Sequence, residues 1–156
     1  MGKKGREIVE INVGELINDL NRAYADQWLG IYMFWYASKN IKGQGKSFAK
    51  ETFEKIAING MAHAEKISFR IRTLGGIPIF NTSEMVRLGN CKYPDSLNLS
   101  SLEEIVQTLL NYKRCLIEVY SRVIKKTHGK DFVTYAIMEE LIKEEVEEEE
   151  ELESLL

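Results

Sequence analysis

The stretch GGIPIFNTSEMVRLGNCKYPDSLNLS, residues 75–100, decides the fold. Gly75, Gly76 and Pro78 stop the helical pattern that precedes them. At the far end, Ser100 with Glu103, or Ser101 with Glu104, can form a capping box and open another helix. About two dozen residues lie between, far above the usual length of a connection. That is enough chain to return along a helical bundle, with one short helix at TSEMVRLG.

Outward from this crossover the chain shows four segments of helical periodicity, over about residues 8–38, 48–74, 101–126 and 131–155. The first ends in the glycine-rich turn NIKGQGKS. The third gives way to the fourth at Gly129, a helix-terminating residue, and Asp131 can cap the fourth. Both turns are short, so each pair of segments reads as an antiparallel hairpin. The expectation is an all-α fold: a four-helix bundle with one long crossover between its second and third helices. A plain up-down bundle would need a short link there.

Composition agrees with one domain over residues 1–156. Hydrophobic residues make up 44% and charged residues 29%, which suits a soluble chain with its own core. A net charge of −3 argues neither for nor against nucleic acid. Two cysteines do not make a secreted disulfide scaffold. The start MGKKGREIVE is basic but has no apolar run after it, so no signal peptide is expected. WLGIYMFWYA, the longest apolar-rich run, is too short to span a bilayer. These readings point to a cytoplasmic protein with no membrane partner.

Inward positions of bundle helices recur every three or four residues. In the first helix they are Val13, Leu16, Leu20, Ala23, Gln27, Ile31 and Phe34. The second gives Phe53, Ile56, Gly60, His63, Ile67 and Leu74, with Arg70 as an end-of-bundle exception. Leu102, Val106, Leu109, Lys113, Leu116, Tyr120 and Val123 follow in the third. The fourth supplies Tyr135, Met138, Ile142, Glu145, Glu148 or Glu149, and Leu152. Every helix thus carries a polar residue on its core stripe, mostly near mid-length. Interior charge must be compensated. Lys113 opposite Glu145 and Glu148 would do that, with Gln27 and His63 supplying hydrogen bonds.

The words AYADQWLGIYMFW, HAEKISFRIRTLGGIP, NCKYP, KRCLIEVYSRV, THGKDFVTY and KEEVEEEEELESLL resemble the Dps-like, or thioferritin, branch of the ferritin-like superfamily, which is related to bacterioferritin. The resemblance spans nearly the whole chain and implies a ferritin-like four-helix bundle. It also implies a homo-oligomer, a dodecameric cage that oxidises iron with peroxide and stores it. In that family one Glu from each of two helices, and a Glu-x-x-His pair from each of the other two, hold two iron ions.

Carried across, those positions fall at Gln27, at Gly60 and His63, at Lys113, and at Glu145 and Glu148. Only His63 and Glu145 keep the family's residue type, with Glu148 as a substitute for a histidine. Gly60 offers no ligand, Gln27 only a neutral oxygen, and Lys113 a positive charge in the place of a cation. Two like unit charges about 4 Å apart inside a protein repel by about 4 kcal/mol.

The reading is therefore a degenerate di-iron site, or pseudo-site, in which the Lys113 ammonium balances Glu145 and Glu148. Gly60 is expected to leave space where a third carboxylate would be uncompensated. No cofactor and no catalytic residue are expected; iron or zinc on the remnant His63, Glu145 and Glu148 is the alternative. Three functions are open: a non-catalytic cage subunit, alone or mixed with an active paralogue; a weakened ferroxidase; or a bundle reused for protein binding.

The resemblance also implies that Cys91 and Cys115 approach each other and form a disulfide, against the alternative of two free thiols. The acidic run EEVEEEEELESLL reads as the solvated face of the last helix, with a cation-collecting patch as the functional alternative. The aromatic run WLGIYMFWY exceeds one core face and suits subunit packing. Lys3, Lys4 and Arg6 read as a solvated terminus rather than a DNA-binding tail.

Overall fold

A computed structural model of the chain describes residues 2–43 and 46–156. Its helices are α1 (Lys3–Glu7), α2 (Val13–Asn40), α3 (Ser47–Thr73), α4 (Thr82–Leu88), α5 (Leu102–Thr127) and α6 (Phe132–Glu153). There is no strand among the described residues. The four long helices form the bundle. Part of the expected NIKGQGKS turn, Gln44 and Gly45, lies outside the described residues.

The boundaries are set by caps. Asn12 accepts from Glu15 N–H and starts α2. Residues 8–12, expected as helix, therefore lead into it as a non-helical link, and the basic start forms α1. Of the two candidate serines it is Ser101 that caps α5, accepting from Glu104 N–H. Asp131 caps α6 through the N–H groups of Val133 and Thr134. After α3, Gly75 takes a positive φ of 90°, and Gly76 N–H bonds back to Ile71 C=O at 2.9 Å, which closes the helix end.

Cross-helix contacts show the directions. Lys39 meets Glu54 and Gln27 meets Gly60, so α2 and α3 run antiparallel. Arg114 meets Glu149 while His128, just past the end of α5, packs against Tyr135, so α5 and α6 do the same. Lys55 pairs with Glu151 and Lys66 with Glu140 across α3 and α6, and Tyr120 with Gln27 and Lys126 with Asp19 across α5 and α2, so both pairs are antiparallel. Hence α3 and α5 point the same way, which is the topology a long crossover produces.

The core is built by Leu16, Leu20, Phe34, Phe53, Ile67, Leu109, Leu116, Met138 and Leu141, all buried. Side chains of α2 hold the crossover. Asn21 accepts from Ile79 N–H at 2.8 Å and donates to Ile77 C=O, and Arg22 donates to Leu88 C=O at 2.9 Å.

Arg70, the exception in the α3 stripe, lies in the last turn of that helix. It is buried, donates Nη2 to both Asp131 carboxylate oxygens at 2.9 Å, and gives Nε to Thr134 Oγ1 at 2.8 Å. Its charge is tolerated because the α6 cap residue neutralises it. Arg70→Met should therefore leave Asp131 buried without its cation. Chemical denaturation should register a loss of about 3 kcal/mol; a change near zero would show that Asp131 needs no partner.

Candidate functional site

Midway along the bundle the polar residues of the four stripes turn inward, and all are buried: Gln27, Gly60, His63, Lys113, Glu145 and Glu148. Relative exposure of Lys113 is 1% and that of Glu145 is 0%, so their charges lie outside the reach of solvent. The side chains divide into two groups that barely communicate.

The first group is ionic. Lys113 Nζ donates to Glu145 Oε2 and, at 2.7 Å, to Glu148 Oε2. Its remaining face lies 5.2 Å from the Phe34 ring centroid, a cation–π contact. The other oxygen of Glu145 bonds His63 Nδ1 at 2.8 Å, and His63 Nε2 meets Glu144 Oε2 at the surface, also at 2.8 Å. The other oxygen of Glu148 accepts from Asn59 Nδ2 at 3.0 Å. A continuous chain of charge-assisted bonds thus runs Glu144–His63–Glu145–Lys113–Glu148–Asn59. An ionised carboxylate only accepts, so a histidine placed between two of them carries a proton on each nitrogen.

Titration reflects this arrangement. Burial works against the Lys113 ammonium, but Glu145 and Glu148 outweigh it and hold its pKa above the usual 10.5. Burial likewise pushes Glu145 up, and Lys113 and His63 overcome it, leaving the carboxyl below its usual 4.5. Burial would lower His63; the bond and charge of Glu145, with help from Glu144, raise it above 6.5.

The second group is neutral. Contrary to expectation, Gln27 does not reach the ionic cluster. Its Oε1 accepts from Tyr120 OH at 2.6 Å, and its Nε2 donates to Gly60 C=O at 3.3 Å. Burial, before all else, holds the Tyr120 phenol well above its usual pKa, so it stays a donor. Nor does Gly60 leave the space expected of it. A Cβ there would stand 2.8 Å from both Gln27 Nε2 and Ile31 Cγ1. The glycine is needed because α2 and α3 touch at this point, and the Gln27 side chain fills what a larger residue would claim. Of the two alternatives on α6, Glu148 points inward, while Glu149 pairs with Arg114 at 2.7 Å.

A second polar site escaped the stripe reading. Asp26 is buried, and its carboxylate accepts from Asn90 Nδ2 at 2.7 Å and Cys91 N–H at 2.9 Å, while its backbone C=O takes the Tyr112 hydroxyl. Burial raises its pKa against the pull of those donors. Asp26 stands one residue before Gln27, off the regular stripe, and its partners lie in the crossover; no local signal marks it. Beside it Cys91 and Cys115 form a disulfide, their Cα atoms 5.7 Å apart. On the molecular surface Trp28, Tyr32 and Trp35 of α2 stand exposed in a row. Lys3 and Lys4 pair with Glu7, and Arg6 donates to Leu74 C=O at 3.4 Å. Among the described residues no helix is long and apolar enough to cross a membrane.

Comparison with known proteins places this geometry. Residues 17–156 match the family model of the ferritin-like domain. The chain is 29% identical over 159 residues to the DNA protection during starvation protein of Pyrococcus furiosus, covering 100% of this chain and 86% of that one. It superimposes with a TM-score of 0.94 on the dodecameric thioferritin of Bacteroides fragilis, a bacterioferritin-related protein; identity is 28%, over 99% of this chain and 92% of that one. The Dps protein of Vibrio cholerae O1, at 20% identity, shares the fold with a TM-score of 0.82 over 91% of this chain and 89% of its own.

The ionic cluster makes stability depend on pH in a stated direction. A raised histidine contributes fully below pH 6.5, and its share fades as pH climbs through the folded-state value. A lowered glutamate contributes fully above pH 4.5 and fades as pH falls through its folded-state value. Both shares coexist between those two limits. Unfolding midpoints of the wild type and His63→Gln, compared from about pH 5 to about pH 9, should therefore converge as pH rises. Divergence towards alkaline pH would contradict the assignment of a charged His63.

Proposed function

Because the chain belongs to the ferritin-like family, in its Dps-like branch, we propose that it is a non-catalytic cage subunit whose ferroxidase centre has been replaced by a lysine–glutamate pair. One observation carries the reading: the Lys113 ammonium sits between Glu145 and Glu148, bonded to both and shut off from solvent. Iron is the substrate of the family's chemistry, and binding it there would set a divalent cation against a buried ammonium. The donor set does not fit a pair of iron ions. Gly60 supplies no ligand, Gln27 is committed to Tyr120, and Lys113 competes with any metal for the two carboxylates.

Assembly rests on kinship and on the surface. The Bacteroides fragilis relative is dodecameric, and the exposed Trp28, Tyr32 and Trp35 form an aromatic row suited to burial between subunits. A homo-oligomeric cage is the reading adopted; co-assembly with an active paralogue would use the same surfaces. No bound cofactor is required. The location is taken to be the cytoplasm, and DNA is not a partner of this reading, since Lys3, Lys4 and Arg6 are occupied within the chain.

A weakened ferroxidase is the second reading, favoured by one fact. Glu145 and Glu148 share the Lys113 ammonium and His63 bonds the other oxygen of Glu145, so side chains of types acceptable to iron or zinc are neighbours. Among the described residues no three such groups are already placed to hold a metal ion, and this reading needs them to rearrange once Lys113 leaves. A bundle used only for protein binding is the third.

Three measurements on protein purified without added metal separate them. The adopted reading expects a particle of roughly twelve times the 18.0 kDa chain mass by light scattering. It also expects less than about one metal ion per ten subunits, with no acceleration of ferrous iron oxidation by peroxide. Stoichiometric iron with peroxide consumption would establish the ferroxidase instead, and a monomer would leave only the protein-binding bundle.

A further inference from the structure

The crossover turns the outer face of α2 into a step. Asn21, Trp28 and Trp35 are seven residues apart and so share that face. At its N-terminal end Asn21 accepts from Ile79 N–H and donates to Ile77 C=O, which seats residues 77–80 against the helix. Ile77 and Phe80 stand out from there, 84% and 94% exposed. Further along, the face is bare. Trp28, Tyr32 and Trp35 lie exposed on it, and a recess of about 420 Å³ opens where α2 meets the later part of the crossover. Tyr32, Met33, Tyr36, Tyr93 and Leu97 line that recess. One end of the face is a knob and the other a hole.

The knob stands level with Asn21 and the hole level with Tyr32 to Tyr36, about 20 Å further along the helix. A chain therefore cannot fill its own recess. A two-fold operation that reverses α2 lays each knob over the other copy's hole, with the axis halfway between them, at Trp28. Such a contact is self-complementary and makes both insertions at once. Between Gln27 and Ser38 the helix carries no charged residue, as the centre of an interface requires. The exposed parts of Trp28, Tyr32, Trp35, Ile77 and Phe80 offer roughly 600 Å² on each copy. That is most of the roughly 800 Å² per partner that a stable dimer buries. At the rim, the same operation brings Arg22, which flanks Phe80, towards Asp95, which flanks the recess.

We propose that a second copy of this chain docks on this face across a two-fold axis at Trp28, with Phe80 of the partner subunit seated in the recess between Tyr32, Tyr36 and Tyr93. This docking rests on the homo-oligomer reading above and supplies its symmetry and its anchor. Phe80 is held out in water by its own chain, and the partner removes that exposed apolar surface. A phenyl ring among three phenols packs edge to face or offset, the arrangement aromatic groups favour. Knob and hole come from different parts of the chain, so a copy must carry both to make the closed pair.

The full chain with photoreactive p-benzoylphenylalanine in place of Phe80 tests it. Irradiation should give a product of twice the chain mass on a denaturing gel, and peptide mapping should find the new bond at residues 32–36 or 93–97. Phe80→Ser supplies a second arm. Its circular dichroism should match the wild type, because Phe80 is exposed in its own chain. Its self-association, followed by light scattering on dilution, should weaken about a thousandfold, since each substitution empties two recesses. A dimeric wild type with these crosslinks keeps the contact and removes only the cage. A cage-sized particle whose crosslinks map elsewhere, or a Phe80→Ser chain that assembles like the wild type, overturns the contact and leaves the cage standing. A monomeric wild type overturns both.

Discussion

An ammonium group held between two carboxylates, out of contact with water, is the constraint around which this bundle is organised. Removing either sign leaves an uncompensated charge in the interior, which costs several kcal/mol. Lys113, Glu145 and Glu148 therefore stand or fall together. Their environment completes the balance: Asn59 and His63 take the outward oxygens, and Phe34 offers its ring face to the ammonium. The inward-facing carboxylates of this bundle close on a side chain of the protein itself.

Helix geometry supplies the second constraint. Helices α2 and α3 come into contact at Gly60, where the side chains of Gln27 and Ile31 occupy the space beyond the missing Cβ. Gln27 then links Gly60 to Tyr120 on α5. Neutral bonding on one side of the midpoint and ion pairing on the other replace what would otherwise be a single polar cluster. A change at Gly60 acts first on helix spacing and a change at Lys113 on charge, although the charges of Glu145 and Glu148 are felt at the Tyr120 phenol.

The fold was legible because its signals are strong and local: long periodic stripes, a glycine–proline stop, serine and aspartate caps, and one connection too long for a turn. The burial of Lys113, Glu145 and Glu148 was legible too, since residues three or four apart share a face whatever their polarity. Less could be read where an outcome depends on distance between helices. Gln27 stands on the stripe but turns to Tyr120, and Gly60 marks a contact rather than a gap. Asp26, one step off the stripe, takes its partners from the crossover, and nothing in its neighbours in sequence announces them. Arg70 could be read only as an end-of-bundle exception to its stripe, because its partner, Asp131, lies 61 residues away.

The most direct test is crystallographic: anomalous scattering recorded at the iron and zinc absorption edges from crystals soaked in each metal. The account predicts no anomalous peak between Glu145 and Glu148, and density for the Lys113 side chain reaching both. A metal peak at that point, with Lys113 turned away from the carboxylates, would contradict it.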